Sequence, residues 1–203
     1  MKSYSQAGQD VFVLSCLKKK RGGYFLEIGS NHPMVINNSY QLEKDYDWKG
    51  IMIEYDSHWL PFYQQERQKS HYLIQDATTI DYKALLTQYH APQVIDYLQI
   101  DLEVNNYSTL KTLELLNEQV MDDYQFAVIT FEHDIYQGNY FNTREKSRDI
   151  FEQRGYIRVF SDVRNENNPF EDWYVYPDLV DMTYINHIKR DDSLEYTDIL
   201  NYL

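Results

Sequence analysis

Short apolar segments alternate with longer amphipathic segments along most of this chain, and no other feature limits its possible folds more strongly. The strand candidates are 24–28, 49–55, 71–76, 94–101 and 126–132, and helix candidates follow them at 37–46, 57–68, 81–89, 107–119 and 143–154. Five such repeats with mostly apolar strands predict a parallel sheet with helices on both faces. Two more strand candidates, 156–163 and 172–177, have no helix between them, so we expect one of them to run antiparallel.

The length of the chain suits one domain. It has 203 residues, and 43% of them are hydrophobic, which is enough for a sizeable core. Ser5 is a candidate cap for a helix that precedes the first strand. We therefore expect a single α/β domain over residues 1–203, with an N-terminal helix inside residues 1–22.

The charge balance argues against a nucleic-acid partner. The formal net charge is −13, whereas neutralising phosphates requires clustered Lys and Arg. No apolar stretch approaches the roughly 18 residues of a membrane-spanning helix, and no signal-peptide segment is evident. The single cysteine, Cys16, excludes an intrachain disulfide and fits a reducing compartment. These features predict a cytoplasmic protein without a membrane span.

Acidic residues lie at or just beyond the ends of all five strand candidates of the repeats. They are Glu27, Glu54, Asp76, Asp101 with Glu103, and Glu132 with Asp134. Because ligands of such sheets bind beyond the carboxyl ends of the strands, we expect these side chains to border one crevice. Their mutual repulsion costs free energy there. A cationic ligand, a metal ion or both would relieve it.

The loop after the first strand candidate narrows the class of ligand. Gly29 allows close approach of a ligand to the backbone, but the G-x-G-x-x-G fingerprint of dinucleotide binding is absent. Glu27 just before the loop suits a ligand without phosphate, and Glu54 ends the second strand, where an acid typically binds ribose hydroxyls. This pairing predicts S-adenosylmethionine, whose sulfonium and ammonium groups favour acidic surroundings. The missing fingerprint argues against the alternative of a nicotinamide-dependent oxidoreductase.

Several ordered segments carry a resemblance to a known family. They are YSQAGQDVFV (4–13), residues 23–54, DYLQIDLEVNN (96–106), ITFEHD (129–134), RGYIRVF (154–160) and EDWYV (171–175). Together they resemble the FkbM family of S-adenosylmethionine-dependent methyltransferases up to about residue 178. The resemblance implies a Rossmann-like class I methyltransferase fold, with a mostly parallel seven-stranded sheet and one antiparallel strand. It also implies methyl transfer to a hydroxyl of a sugar or glycan, and it leaves residues 178–203 as a C-terminal extension.

The resemblance also implies the positions of the cofactor site. They are Gln6, Glu27, Gly29, Ser30, Asn31, Ser39, Glu54, Tyr55, Asp76, Ala77 and Asp101. The loop at 27–31 would face the methionine part, Glu54 the ribose, and Asp76 with Ala77 the adenine. Val104 and Asn106 stand where the family usually has glycine and an acid, so the acceptor pocket would have a different shape. These departures keep open the alternative of a non-catalytic module that binds cofactor or glycan.

A divalent metal is a further prediction. Asp101, Glu132 and His133 come from neighbouring strand ends and suit Mg²⁺ or Mn²⁺, and related sugar O-methyltransferases carry a metal at this position. The metal would orient sugar hydroxyls and lower the pKa of the hydroxyl that reacts. The alternative is that Asp101 contacts only the amino group of the cofactor, while Glu132 and His133 form a plain hydrogen-bonded pair.

The residues assigned to catalysis and acceptor binding lie near the same strand ends. We predict His133 as the general base, with Glu103 as the second candidate and Asp101 at the reacting centre. Asp172 and Trp173 would line the acceptor site, with the indole stacked on a sugar face; the alternative is that Trp173 packs under the edge of the sheet. The predicted partner is a small-molecule or glycan acceptor, and the chain could belong to a larger glycan-building protein.

Overall fold

A computed structural model describes residues 2–203 and contains one seven-stranded sheet. The strands are β1 (Tyr24–Ile28), β2 (Lys49–Glu54), β3 (His71–Ile74), β4 (Val94–Ile100), β5 (Gln125–Glu132), β6 (Ile157–Asn165) and β7 (Asn168–Val175). Their order across the sheet is β3-β2-β1-β4-β5-β7-β6. The first five strands pair in parallel, while β7 runs antiparallel to both β5 and β6. The mostly parallel sheet with one antiparallel strand is therefore confirmed.

The helices lie on both faces of the sheet. They are α1 (Gln9–Cys16), α2 (Tyr40–Tyr46), α3 (Leu60–Glu66), α4 (Tyr82–Gln88), α5 (Ser108–Gln119), α6 (Phe141–Gln153), α7 (Met182–Ile188) and α8 (Tyr196–Ile199). One buried apolar cluster joins the sheet to α4, α5 and α6, and a second cluster joins it to α1, α2, α3, α7 and α8. Neighbouring residues of one strand serve opposite clusters, as Leu26 and Phe25 do, because successive side chains in a strand point to opposite faces.

The first helix begins later than the sequence suggests. Ser5 does not cap it: the Ser5 hydroxyl donates to the buried carboxylate of Asp10, at 2.8 Å. That carboxylate also accepts hydrogen bonds from the Ser3 hydroxyl at 2.6 Å and from the Tyr4 N–H at 2.8 Å. The N-terminal segment therefore wraps around Asp10, and α1 starts only after Gly8, at φ 79°. A buried carboxylate requires hydrogen-bond donors, and the Ser5 hydroxyl is one of those that Asp10 uses. Ser5 therefore does not cap the helix.

The segment after residue 178 covers part of the sheet. Ile185 and Ile188 of α7 and Ile199 of α8 are fully buried in the second apolar cluster. Short bridges join this segment to β6, at Phe160–Arg190 and Arg164–Glu195. Within residues 2–203, no helix has both the length and the apolar character that crossing a membrane requires.

Candidate functional site

A cavity of about 460 Å³ lies beyond the carboxyl ends of β1, β2, β4 and β5. Its walls are formed by Gln6, Glu27, Gly29, Ser30, Asn31, Ile36, Asn38, Glu54, Tyr55, Asp101, Leu102, Glu103, Glu132, Asp134 and Gln137. A neighbouring cavity of about 370 Å³ shares Tyr55, Leu102 and Glu103 with it and extends toward Ala77. The two cavities therefore form one elongated crevice at the switch point of the strand order, where ligands of such sheets bind.

Glu27 both lines the cavity and organises the start of α2. Its carboxylate accepts hydrogen bonds from the Asn38 N–H at 2.9 Å and from the Ser39 hydroxyl at 2.5 Å. Burial raises the pKa of Glu27, and these donors together with the nearby Arg67 oppose that rise. Arg67 is itself buried and donates to the Ser39 hydroxyl at 2.7 Å. Ser39, predicted as a cofactor residue, thus lies behind Glu27 and does not line the cavity.

Gly29 is required by the packing of two strand ends as well as by the loop it begins. Its φ is 82°, and a Cβ at this position would lie 1.6 Å from the carbonyl oxygen of Asp101. The backbone N–H of Asp101 donates to the carbonyl of Ile28 at 2.9 Å, which fixes the approach. Only glycine fits there. The sequence-based reason, close approach of a ligand, is therefore incomplete, because the nearest neighbour of Gly29 is the protein backbone.

Glu54 connects the loops that follow β1 and β2. Its carboxylate accepts hydrogen bonds from the N–H groups of Asn31 at 2.7 Å, Tyr55 at 2.9 Å and Asp56 at 2.8 Å. The side chain remains partly exposed and lines the cavity. Each carboxylate oxygen has two lone pairs, so Glu54 keeps capacity to accept hydrogen bonds from a ligand. Tyr55, which is 76% exposed, stands at the mouth of both cavities.

The smaller cavity is bordered by the short helical turn Ala77–Thr79. Asp76 caps this turn, since its carboxylate accepts from the N–H of Thr78 at 2.9 Å and from its hydroxyl at 2.7 Å. These hydrogen bonds lower the pKa of Asp76. Ala77 is buried and, with Ile53 and Leu102, gives the cavity an apolar wall. A flat apolar ring with a polar edge would suit this wall.

Four acids form the wall of the main cavity on the side of β4 and β5. We call Asp101, Glu103, Glu132 and Asp134 the cavity acids. Burial raises the pKa of Asp101 to about 6, and the charge of Asp134 adds to the rise. Burial and the neighbouring Asp101 raise the pKa of Glu132 well above its usual range, and burial also raises that of Asp134. No Lys, Arg or His is among the described residues that line this cavity, so no basic side chain borders it.

The predicted grouping of His133 with Asp101 and Glu132 does not occur. His133 is fully buried and does not line the cavity, because its side chain points away from the neighbouring Glu132. Its Nε2 lies 3.4 Å from an oxygen of Asp162 and 3.6 Å from one of Asp172. Burial lowers the pKa of His133, but these two carboxylates outweigh it and raise the pKa overall. His133 is therefore placed neither to accept a proton from an acceptor nor to bind a metal in the cavity.

Asp172 and Trp173 are also not acceptor residues. Asp172 is fully buried, and Arg148 donates to its carboxylate from Nε at 2.6 Å and from a terminal nitrogen at 2.9 Å. Trp173 is fully buried and stacks on Phe12, with ring centroids 4.7 Å apart. Neither residue lines the cavity. The alternative in which Trp173 packs against the sheet is the one the structure shows.

The residues around His133 form a second group of charges. We call His133, Arg144, Arg148, Asp162 and Asp172 the buried ion cluster. Among residues 2–203, the group with metal-like convergence of ligand atoms is His133, Asp162 and Asp172, whose ligand atoms lie within 4.8 Å of one another. Arg148 and Arg144 already bind those two carboxylates. The arginines supply the positive charge that a metal ion would otherwise provide.

Two polar residues of the cavity wall carry an oxygen without a hydrogen-bond partner, and neither of them received a specific role from the sequence. Asn38 is 6% exposed, and its carbonyl oxygen Oδ1 has no hydrogen-bond partner. Asp134 is 5% exposed, and its Oδ1 also lacks a partner. The sequence did contain a signal for both, since Asn38 belongs to the Asn-Ser helix start and Asp134 follows a strand. What it lacked was the direction of each side chain, which only the loop geometry defines.

Gln6 is the predicted cofactor residue nearest to the N-terminus. It is exposed and lines the cavity, and its place near the cofactor stays a prediction. The hydrogen bonds to Asp10 shape the segment that carries it, and the carbonyl of Tyr4 accepts the N–H of Asn37 at 3.0 Å. Glu27, Gly29, Ser30, Asn31, Glu54, Tyr55, Asp101 and Glu103 line the same cavity, while Asp76 and Ala77 line the smaller one.

Solved structures with the same architecture are methyltransferases by name. A putative rRNA methylase from Clostridium thermocellum superposes with a TM-score of 0.54 over 86% of this chain and 99% of that chain, at 11% identity. A TehB-like S-adenosylmethionine-dependent methyltransferase from Corynebacterium glutamicum gives a TM-score of 0.52 over 83% and 87% of the two chains, at 10% identity. An rRNA methylase from Streptococcus thermophilus gives 0.51 over 87% and 98%, at 11% identity.

These similarities confirm the predicted Rossmann-like class I methyltransferase fold. At such low identity they show the fold alone. The sequence matches no protein-family model and no curated protein. Membership of the FkbM family therefore stays a prediction.

Proposed function

We propose that this protein is an S-adenosylmethionine-dependent O-methyltransferase that acts on a hydroxyl of a sugar or glycan. The observation that carries the proposal is the elongated crevice at the carboxyl edge of the sheet, lined by six carboxylates and by no basic side chain. A donor with a sulfonium and an ammonium group suits this wall, whereas a pyrophosphate would be repelled by it. The neighbour from Corynebacterium glutamicum, which has this fold, is named as a methyltransferase of this kind.

The crevice offers a place for each part of the donor. The apolar wall of Ile53, Ala77 and Leu102 suits the adenine ring. Glu54 would accept hydrogen bonds from the ribose hydroxyls with the lone pairs left by its three backbone donors. The unpartnered Oδ1 of Asn38 would accept a hydrogen bond from the ammonium of the methionine part.

The chain contributes mainly by positioning. When bound, S-adenosylmethionine supplies an electrophilic methyl group; an acceptor oxygen attacks the methyl carbon in line, the C–S bond breaks, and S-adenosylhomocysteine leaves with its electron pair. Holding the acceptor at the right distance and angle can contribute roughly 7–11 kcal/mol. Asp101 would accept the proton of the reacting hydroxyl, because it lines the cavity and its pKa of about 6 is close to neutral. Glu103 lines the same wall and is the second candidate base.

No step of this mechanism passes through a metal ion. The predicted ligand His133 faces the buried ion cluster, which leaves Asp101 and Glu132 without the third ligand. An oxidoreductase reaction is also disfavoured, because the cavity would set six carboxylates against a dinucleotide pyrophosphate.

Calorimetry with S-adenosylhomocysteine and S-adenosylmethionine tests the donor assignment. The wild-type chain should bind both, and Glu54→Ala should weaken each affinity roughly 10- to 100-fold through the lost hydrogen bonds to a charged group. The matched control is Asp123→Asn, at an exposed ion pair with Lys83, which should bind as the wild type does. Equal affinity of Glu54→Ala and wild type would refute the ribose role.

Turnover tests the remainder of the proposal. Mass spectrometry of sugars and glycans incubated with a methyl-labelled donor should detect a labelled product. Donor binding without transfer to any member of the panel would instead favour the non-catalytic alternative.

A further inference from the structure

The segment between β1 and α2 forms part of the rim of the main cavity. Its two ends, Asn31 and Ile36, both line the cavity, and we call residues 31–36 the rim segment. The φ angle of Ile36 is 54°, in the left-handed region that a β-branched residue rarely adopts. The side chain of Ile36 is 60% exposed, so its own packing does not impose this conformation. Contacts elsewhere in the rim segment must impose it.

Hydrogen bonds fix both ends of the rim segment. At its start, the N–H of Asn31 donates to the carboxylate of Glu54 at 2.7 Å, and the carbonyl of Asn31 accepts from the Tyr63 hydroxyl at 2.6 Å. Just beyond its end, the N–H of Asn37 donates to the carbonyl of Tyr4 at 3.0 Å. The rim segment therefore connects the acid assigned to the ribose with the N-terminal segment and the start of α2.

His32 fixes the middle of the rim segment through one ring nitrogen. Its Nδ1 accepts hydrogen bonds from the N–H groups of Met34 and Val35, at 3.1 Å each. A nitrogen that accepts these bonds carries no proton, so the ring is neutral and its proton is on Nε2. The ring also packs edge-on against Trp59, with ring centroids 4.9 Å apart. These contacts join the rim segment to the turn that follows β2.

We propose that His32 is a positioning residue for donor binding and that it makes this binding sensitive to pH. The inference rests on the proposed function, because it concerns affinity for the same donor. Histidine changes its charge between about pH 5 and 8. Once protonated, Nδ1 is a hydrogen-bond donor, and the two bonds from the backbone are lost. The rim segment then has its binding conformation for only part of the time, and the apparent donor affinity falls by that fraction.

The elements packed against His32 carry other titratable or charged side chains. They are Glu54, Asp56, His58, Tyr63, Glu66 and Arg67. Arg67 donates to the carbonyl of Pro33 at 3.1 Å and stays charged over this pH range. His58 is the other histidine. Its ring lies against Trp59, with centroids 5.1 Å apart, and among residues 2–203 it makes no hydrogen bond to the rim segment. His58 is therefore a matched control for His32.

His32→Asn separates the two hydrogen bonds from the charge. Asparagine has an oxygen in the place of Nδ1, accepts from backbone N–H groups a few residues on, and does not titrate. Calorimetry on the full chain would measure affinity for S-adenosylhomocysteine at about pH 7.5 and about pH 5.5. The cavity acids contribute equally in every variant. From the higher to the lower pH, the wild type and His58→Asn should lose about 3- to 30-fold more affinity than His32→Asn, as expected for one or two lost hydrogen bonds.

A second measurement requires no ligand. In amide NMR spectra of the free chain, the Met34 and Val35 resonances should titrate over this pH range in the wild type and not in His32→Asn. Equal losses of affinity in the wild type and His32→Asn, or resonances that titrate alike in both, would overturn this inference and leave the donor assignment intact. A wild-type chain that does not bind S-adenosylhomocysteine at the higher pH refutes both. Thermal unfolding shows that each variant is folded at both pH values.

Discussion

The cavity acids and the buried ion cluster adjoin each other in the chain, but they differ in how the negative charge of their carboxylates is balanced. Glu132 faces the cavity, and His133, the next residue, faces the cluster. In the cluster, Asp172 is fully buried, yet Arg148 and His133 hold its pKa far below the usual range against the effect of burial. In the cavity, burial and the negative charge of Asp101 raise the pKa of Glu132.

This difference separates a structural role from a binding role. A buried charge that the protein itself neutralises contributes to the fold, and removing one partner leaves the other unpaired. A buried charge that the protein leaves uncompensated destabilises the fold, and a ligand of opposite charge can recover that cost. Counting acids near a strand end cannot distinguish the two roles. The position of the arginines distinguishes the structural role from the binding role.

The largest expected effect comes from breaking the buried ion cluster. Asp172→Asn removes the charge that pairs with Arg148 and His133, so we expect the free energy of unfolding to fall by about 3–5 kcal/mol. Urea denaturation measures the change, and S-adenosylhomocysteine affinity of the folded fraction should be unchanged. The matched control is Asp123→Asn, whose pair with Lys83 is exposed to solvent, so this variant should change the stability little. A loss as small as that of the control would show that the cluster is not structural.

A smaller effect of opposite sign is expected in the cavity. Burial raises the pKa of Asp101 to about 6, from about 3.9 in an unfolded chain. The folded chain thus binds the proton more tightly, and this contribution to stability is present below about pH 4 and lost as the pH rises through 6. Asp101→Asn removes the penalty of the charged form. It should raise the free energy of unfolding by about 3 kcal/mol at pH 8 and change it little at pH 4.

Thermal or urea unfolding at the two pH values checks this prediction. A loss of stability at pH 8 would show that Asp101 is compensated in the absence of ligand, as Asp172 is. In that case the contrast between the two groups of charges would not hold.

Chelation should have the smallest effect. Arg144 and Arg148 already neutralise the group of residues with metal-like geometry, and the cavity acids are not gathered around one point. Exhaustive treatment with EDTA should therefore leave the thermal unfolding temperature and the affinity for S-adenosylhomocysteine unchanged. A loss that Mn²⁺ restores would place a metal among these acids after all.

Sequence patterns predicted the sheet and the edge of it at which the acids border a cavity. Apolar strands followed by acids led to Glu27, Glu54 and Asp101, and all three line the cavity. The prediction was wrong for His133, Asp172 and Trp173, which are fully buried and lie outside it. The two outcomes differ because a strand end can be located from the sequence, whereas the direction of the side chain that follows it depends on the turn.

The sequence by itself determined the order of the elements and the edge of the sheet where the acids gather. Strand and helix periodicity is local, and parallel β–α repeats bring all carboxyl ends to one edge. Tertiary structure alone decided which charges are neutralised. Arg144 and Arg148 come from α6 and meet Asp162 and Asp172 from β6 and β7 only when that helix docks on the sheet. Neutralisation depends on distances of a few ångströms between segments far apart in the chain, and no local pattern encodes those distances.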